Sequence, residues 1–244
     1  MSDGLRVIPV EGMPEVTEGM RVGEVIAERA RLEDGDVVVI SQKVVSKAEG
    51  QVRRLSEVEP SERAQQLGKK LGKEATLVEL ILSESREVLR EERVLITETH
   101  HGFVCANAGI DSSNLPEEGT VCLLPEDPDA SARRIRAELG GQPAVVIADS
   151  FGRAWRLGQA EVAIGCAGLR PLDDWRGRTD AAGRELSATV IAIADEVAAA
   201  ADLIRDKDSG VPAVIVRGLG RYVGAEDGPG AAVLRRPPQE DLFR

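Results

Sequence analysis

Aromatic residues and positive charge are scarce in this chain of 244 residues. Aromatic side chains make up 2% of the sequence, and the formal net charge at pH 7 is −11. Proteins that bind single-stranded nucleic acid stack the bases on aromatic side chains, and nucleic-acid binders in general neutralise phosphates with a basic surface. The composition therefore argues against a nucleic-acid partner. An acidic exterior is still compatible with a local basic pocket for a small ligand.

Long apolar runs and paired cysteines are also missing. No segment approaches the roughly 18 apolar residues that a membrane span requires, and residues 1–4 lack a signal-peptide pattern. Cys105, Cys122 and Cys166 are odd in number, far apart and surrounded by apolar sequence. We therefore predict three buried free thiols, a cytoplasmic location and no membrane partner.

Common catalytic motifs are absent as well. The sequence contains no GxxxxGK[ST], GxSxG, CxxC or HExxH segment, which removes the main signals for a P-loop, a serine hydrolase and a zinc site. Its two histidines, His100 and His101, are adjacent and are predicted to lie in a turn. The remaining chemistry is that of carboxylates, hydroxyls, amides and basic side chains. This inventory favours magnesium or manganese with phosphate-bearing ligands.

The pattern of apolar residues predicts strands alternating imperfectly with helices. Ser61 is a predicted helix N-cap. The fold class is therefore predicted as α+β, with mixed α/β layers and several buried strands. We expect one domain over residues 1–244, with two subdomains as an alternative. Strands are predicted at residues 5–10, 37–40, 93–97, 103–106, 121–125, 143–148, 162–168 and 211–216, and helices at 22–30, 61–72, 76–85, 129–139 and 187–204.

Two polar stretches follow predicted strands and are candidates for a metal site. Residues 107–114 contain a carboxylate (Asp111), two amides and two hydroxyls, and residues 149–158 begin with Asp149 and Ser150 and include two arginines. Carboxylate and carbonyl oxygens suit a hard cation that shares its ligands with phosphates. The alternatives are an ordinary Asx/Ser turn and a solvated loop. A third stretch, residues 41–50, is either a phosphate-binding strand end or a solvated edge.

Ordered segments spanning almost the whole chain resemble the coenzyme F420-0:L-glutamate ligase (F420 γ-glutamyl ligase) family. The likeness weakens only after about Tyr222. The matching segments are residues 10–14 (VEGMP), 33–36 (EDGD), 45–50 (VSKAEG), 60–64 (PSERA), 107–114 (NAGIDSSN), 149–153 (DSFGR), 174–178 (DWRGR), 183–186 (GREL), 194–196 (ADE), 210–212 (GVP) and 216–219 (VRGL).

This resemblance implies an enzyme that uses GTP to add L-glutamate, through a γ-linked amide, to the carboxylate of the coenzyme F420 precursor. It further implies a family-specific α+β ligase fold, an intertwined homodimer, two divalent cations (Mg²⁺ or Mn²⁺) at the GTP, and K⁺ as a further cation. Some family members carry a fused nitroreductase-like domain, for which a chain ending at Arg244 is expected to have no room. Two alternatives stay open. One is another metal-dependent acyl-phosphate or phosphoryl transferase, and the other is a non-catalytic nucleotide-binding homologue.

The resemblance also implies roles for individual residues. Asp111 and Asp149 match ligands of the first metal, and Ser150 matches a second-metal ligand that is threonine in other members. Lys207 falls where some members place an acid or an amide on the second metal, and a protonated lysine cannot ligate a cation. The nucleotide contacts implied are Met13, Pro14, Glu15, Val16, Ser41, Gln42, Lys47 and Asn114, with Lys207 in a further nucleotide-contacting segment, residues 205–211.

Arginines provide the remaining candidates. Because arginine binds carboxylates and phosphates with two hydrogen bonds, we assign Arg153, Arg156, Arg178 and Arg184 to the anionic groups of the substrates. Arg153, with Asp111 and Asp149, is predicted to be catalytic. The alternative is that each of these arginines lies on the surface without a role in binding.

Overall fold

The computed structural model describes residues 4–241, so most of the segment tested for a signal peptide lies outside the described residues. Strands and helices are mixed, as an α+β fold requires. The strands are β1 Arg6–Pro9, β2 Val37–Ser41, β3 Val52–Arg54, β4 Ser85–Glu92, β5 Val94–Thr99, β6 Val104–Ala106, β7 Thr120–Cys122, β8 Ala144–Arg153, β9 Arg156–Ala167, β10 Asp173–Asp174, β11 Val190–Ile191 and β12 Ala213–Arg217. The α-helices are α1 Val22–Ala27, α2 Gln42–Ala48, α3 Glu62–Leu71, α4 Ala75–Ser83, α5 Pro128–Glu138 and α6 Ile193–Asp202.

The largest sheet has the strand order β1-β12-β2-β8-β9. Val38 and Ile40 of β2 pack with α1, α2 and α5 on one face, whereas Val37 and Val39 pack with α6 on the other. Both faces of the sheet are thus covered, which explains why its central strands are continuous apolar runs without polar alternation. β2 and β8 are parallel, with Ser41 the register partner of Ala148. The two strands therefore run toward the same end of the sheet, where β8 continues past the last residue of β2.

A smaller layer lies beside this core. β4, β5 and β6 form a three-stranded sheet, and α3 and α4 share a separate apolar cluster with β5. Ser61 caps α3 by accepting a hydrogen bond from the Ala64 amide at 3.2 Å, and Gly72 ends it at φ 64°. Both helix limits were predicted correctly.

Several predicted elements differ from the structure. The polar stretch after Asp149 is not a loop, because β9 supplies backbone partners that extend β8 to Arg153 in a hairpin. Residues 42–48, predicted as part of either a phosphate-binding strand end or a solvated edge, form α2. The helix predicted from residue 187 begins only at Ile193, because Val190–Ile191 pairs with Asp173–Asp174. The cap of α5 is Asp127, which accepts from the Ala130 amide, whereas Asp129 accepts from the Cys166 and Ala231 amides.

The cysteines and histidines lie where the sequence predicted. All three cysteines are buried and free, and burial raises the pKa of the Cys105 and Cys166 thiols to about 12. His100 and His101 lie in the turn between β5 and β6. Within residues 4–241, no helix has the length and apolar character needed to span a membrane.

Close contact between β9 and α5 depends on Gly165. A side chain at this position would collide with the backbone carbonyl of Pro128 at the start of α5. We expect Gly165→Ala to lower the free energy of unfolding by roughly 1–3 kcal/mol, the usual cost of overpacking, as measured by urea denaturation. Gly152→Ala is the matched control, because nothing lies within 4 Å of its added methyl group. Equal stability of the two variants would contradict the packing argument.

Candidate functional site

A pocket of about 880 Å³ lies beyond the carboxyl end of β2, beside the part of β8 that continues into the hairpin with β9. Its walls come from five parts of the chain: residues 13–16, the end of β2 with α2, the loop after β6, the β8–β9 hairpin, and residues 205–212. Parallel strands whose carboxyl ends meet leave such a crevice for ligands. The two polar stretches predicted as candidates for a metal site, residues 107–114 and 149–158, therefore contribute side chains to the same pocket.

The loop after β6 reaches the pocket through a strained turn. Asn107, Ala108 and Gly109 have consecutive positive φ angles of 52°, 54° and 72°, a conformation that is costly for the two non-glycine residues. The turn returns the chain so that Asp111 forms a β-bridge with Cys122. Among the described residues, the buried Oδ1 of Asn107 has no hydrogen-bond partner. An unpaired acceptor in a pocket wall suits a cation or a ligand donor.

Asp111 is paired with a lysine of α2. Lys43 Nζ donates to Asp111 Oδ2 at 2.9 Å and to Ser113 Oγ at 2.7 Å, and the Ser113 amide donates to Asp111 Oδ1 at 2.7 Å. Burial by itself would raise the pKa of Asp111, but the Ser113 amide and Lys43 outweigh it and hold the pKa below its usual value. Asp111 is therefore a carboxylate at neutral pH, held beside an ammonium group.

Asp149 is in the opposite electrostatic situation. It lies inside β8 rather than at its end, opposite Val162 of β9. Burial and the nearby charge of Glu161 raise the pKa of Asp149 to about 7. A carboxyl group with this pKa is half-protonated near neutrality, so a cation that enters the pocket stabilises its ionised form.

A chain of polar contacts runs from the hairpin to residues 205–212. Ser150 Oγ donates to Glu161 Oε1 at 2.7 Å, and it accepts from Lys207 Nζ at 3.0 Å. Glu161 also forms a 2.8 Å ion pair with Arg205, and both of these side chains are less than 10% exposed. This pair attaches the segment that carries Lys207 to the floor of the pocket.

On another side of the pocket, α2 contacts the segment of residues 13–16. Lys47 Nζ donates to Glu15 Oε1 at 2.6 Å and to the Asn114 carbonyl at 2.9 Å. Asn114 Nδ2 lies 3.4 Å from the Lys207 carbonyl. Lys43 and Lys47 are four residues apart on α2, so both project from one helical face toward the pocket. A pair of ammonium groups opposite two carboxylates is suited to a ligand that brings both phosphates and a metal ion.

Comparison with known proteins identifies the family to which this chain is related. A sequence model of the family described as F420-0:gamma-glutamyl ligase matches residues 12–218. The chain belongs to this ligase family. It is 47% identical to the coenzyme F420:L-glutamate ligase of Archaeoglobus fulgidus, with 98% of this chain and 96% of that protein covered. The proteins of the same name from Methanothermobacter thermautotrophicus and Methanopyrus kandleri are each 45% identical, with 98–99% of both chains covered.

The pocket brings together most of the residues that the family resemblance implied. The residues on its wall are Met13, Pro14, Glu15, Val16, Ser41, Lys47, Asp111, Asn114, Asp149, Ser150 and Lys207. Gln42 is not on the wall. It is 1% exposed, and its Oε1 accepts a hydrogen bond from Ser46 behind the pocket. Its direct nucleotide contact stays a prediction.

The four candidate arginines are not on the pocket wall. Arg153 is exposed near the hairpin end, where its Nη2 lies 3.4 Å from the Leu157 carbonyl, and Arg156 is exposed beside it. Arg178 lies over the Trp175 ring, and Arg184 pairs with Asp180 at 3.6 Å. The catalytic role of Arg153 stays a prediction.

Three residues of the site received no role from the sequence. Lys43 lay in a polar stretch whose helical spacing to Lys47 shows only once α2 is recognised. Glu161 and Arg205 meet from positions 44 residues apart (205 minus 161). No local pattern marks that pair, so only the fold reveals it.

The donor set fits a divalent cation that shares its coordination with a ligand. Among residues 4–241, no three His, Cys, Asp or Glu side chains are gathered as a complete metal cluster. Magnesium is commonly held by one or two carboxylates, with phosphates and water completing its shell. Asp111, Asp149 and the unpaired Asn107 oxygen match that requirement.

Proposed function

We propose that this chain is a GTP-dependent ligase that joins L-glutamate to the carboxylate of the coenzyme F420 precursor by γ-linked amide bonds. The observation that carries the proposal is the pocket that sets Asp111 and Asp149 against Lys43 and Lys47. The names of its relatives, coenzyme F420:L-glutamate ligase, supply the substrate class. GDP and phosphate are the expected by-products.

The chemistry requires activation, because the hydroxide of a carboxylic acid is a poor leaving group. In the proposed first step, a carboxylate oxygen of the precursor attacks the γ-phosphorus of GTP, and the bond to GDP breaks. The amine of glutamate then attacks the resulting acyl phosphate, loses a proton and expels inorganic phosphate. Phosphoryl transfer of this kind depends mainly on positioning and charge neutralisation, which is the chemistry that this pocket offers.

The residues on the pocket wall divide this work. Lys43 and Lys47 neutralise phosphate oxygens, while residues 13–16, Ser41 and Asn114 surround the nucleotide. Asp111 and Asp149 would hold Mg²⁺ or Mn²⁺, which polarises the phosphates and offsets the charge of the attacking carboxylate. Ser150 presents a hydroxyl oxygen to the same space. K⁺ belongs to the proposal as a further cation.

A mass-spectrometric assay tests the proposed activity. The protein is incubated with the F420 precursor, GTP, L-glutamate and MnCl₂. The molecular mass of the precursor is measured before and after the incubation. A ladder of glutamate-sized mass additions with matching GDP release is expected. Phosphate release without any mass addition to the precursor would instead indicate a transferase that acts on another carboxylate. GTP binding with neither product would indicate a non-catalytic homologue.

Lys47 is expected to contribute strongly to nucleotide binding. Its ammonium group is fixed by Glu15 and Asn114, and its side chain is 12% exposed. Because a hydrogen bond to a charged group contributes about 1.5–3 kcal/mol, Lys47→Met should raise KM for GTP by roughly 10–100-fold. The control, Lys69→Met, removes the same charge from the exposed face of α3. An unchanged KM in Lys47→Met would remove Lys47 from the nucleotide site.

The proposal includes the assembly as a homodimer. Leu157, at the turn between β8 and β9, is 99% exposed, and a partner protomer would cover this apolar side chain. Light scattering is expected to give about twice the chain mass of 26.1 kDa. A mass of one chain would refute this part of the proposal and leave the chemistry unaffected.

A further inference from the structure

Lys207 has a different kind of partner from the other basic residues of the pocket. Four basic side chains are on its wall within the described chain. Three of them pair with carboxylates: Lys43 with Asp111, Lys47 with Glu15, and Arg205 with Glu161. Lys207 donates instead to the Ser150 hydroxyl, at 3.0 Å. Its ammonium group is therefore available to compensate the carboxylates around it.

The backbone that carries Lys207 is anchored on two sides, while the Lys207 side chain itself is exposed. Arg205, two residues earlier, is fixed by its buried ion pair with Glu161, and the Lys207 carbonyl faces Asn114 Nδ2 at 3.4 Å. The segment is thus held on both sides of the pocket. Because Ser150 Oγ donates its proton to Glu161, its lone pairs are directed at Lys207. Lys207 uses one of the two lone pairs, so a cation bound to the other would lie beside the ammonium group.

A second divalent cation bound to Ser150 would consequently lie close to the positive charge of the Lys207 ammonium group. An ion bound to that hydroxyl lies roughly 2.1–2.4 Å from the oxygen, and the lysine nitrogen already lies 3.0 Å from it. The ion and the ammonium nitrogen would be roughly 4–5 Å apart around this oxygen, in a partly buried pocket where the repulsion between them is strong. The ammonium group therefore opposes the binding of a second ion here.

We propose that the ammonium group of Lys207 replaces a second divalent cation, so that the pocket holds one Mg²⁺ or Mn²⁺, at Asp111 and Asp149. Lys207 then supplies a fixed charge to the phosphates from the Ser150 side. This inference rests on the proposed function for the nature of the ligand. It concerns the number of ions and not the identity of the product.

Counting bound Mn²⁺ tests the inference without any turnover. The protein is saturated with GTP in the absence of glutamate and precursor, and Mn²⁺ is titrated while the free ion is followed by electron paramagnetic resonance. We expect one Mn²⁺ per protomer, with the spectrum of an isolated ion. Lys207→Gln should bind two, and spin coupling between neighbouring ions should appear. Lys207→Arg, which keeps the charge, and Lys69→Gln, on the exposed face of α3, should both remain at one.

The possible outcomes separate this inference from the proposed function. Two ions in the unaltered protein, or one ion in Lys207→Gln, would overturn the replacement of the second cation. Either result leaves glutamate addition in the mass-spectrometric assay unaffected. No Mn²⁺ in any variant would overturn both the inference and the metal part of the proposed function, and the mass assay would then decide the remainder.

Discussion

Asp149→Asn is expected to abolish amide formation and, at the same time, to stabilise the metal-free protein above pH 7. The loss of activity follows from removal of a carboxylate that would ligate the divalent cation. Even partners one layer outside a metal's ligands cost roughly 10–100-fold when removed, so loss of the ligand itself should cost on the order of 10³-fold or more. Glutamate-dependent GDP release measures this effect, and near-normal turnover would refute the assignment.

The gain in stability follows from the pKa of Asp149, raised from 3.8 to about 7 by burial and by Glu161. A carboxyl group whose pKa is raised in the folded state stabilises the fold below its unfolded pKa and loses that contribution as pH rises through the folded pKa. Since asparagine carries no charge, the variant avoids this loss. Each pKa unit corresponds to about 1.4 kcal/mol, so the advantage at pH 8 should be on the order of 1–4 kcal/mol.

Asp111→Asn is the matched control, with the opposite expected effect on stability. The Ser113 amide and Lys43 outweigh burial and lower the pKa of Asp111, so its charge stabilises the fold at neutral pH and this contribution is lost as pH falls through the folded pKa. Urea unfolding in EDTA at pH 5 and pH 8 compares the two variants. Both variants should be inactive. Relative to the unaltered protein, only Asp149→Asn should become more stable as the pH is raised from 5 to 8. Stability changes of the same sign would contradict this account of the two carboxylates.

The core of the fold was predictable because its determinants are local. The residues of β2 and β12 are buried on both faces, so their β-branched runs carry the signal without any knowledge of their neighbours. The ends of α3 are fixed by Ser61 and Gly72, whose caps act within one turn of the helix. Elements of this kind need no tertiary information.

The elements that the sequence missed depend on partners distant in the chain. Residues 149–153 look like a loop by composition, and they become strand because β9 supplies their hydrogen bonds. β4 is rich in glutamate and arginine and is held by pairing with β5. The same limitation applies to the site. Asp111 and Asp149 could be proposed as a pair from two strand ends, but the contact of Lys43 with Asp111 joins residues 68 positions apart, and the sequence does not show it.

Arg205→Met is expected to produce the largest loss of stability among substitutions at the pocket. Arg205 and Glu161 are 7% and 5% exposed and lie 2.8 Å apart. Removing one partner of a buried ion pair leaves the other charge without compensation, which costs about 3–5 kcal/mol. Urea denaturation at pH 7 measures this loss. The exposed pair of Arg54 and Glu117 is the control, and Arg54→Met should leave the free energy of unfolding almost unchanged.

The double variant Glu161→Gln/Arg205→Met separates loss of charge compensation from loss of packing. If the uncompensated Glu161 carboxylate causes the loss, neutralising it should recover most of the stability, because buried pairs contribute little net energy once both charges are absent. KM for GTP should be raised in Arg205→Met and should stay raised in the double variant, since residues 205–212 lose the contact that holds Lys207 beside Ser150. Recovery of both stability and KM would show that the pair does not position this segment. If neither recovers, the loss of stability results from the lost packing of the arginine side chain.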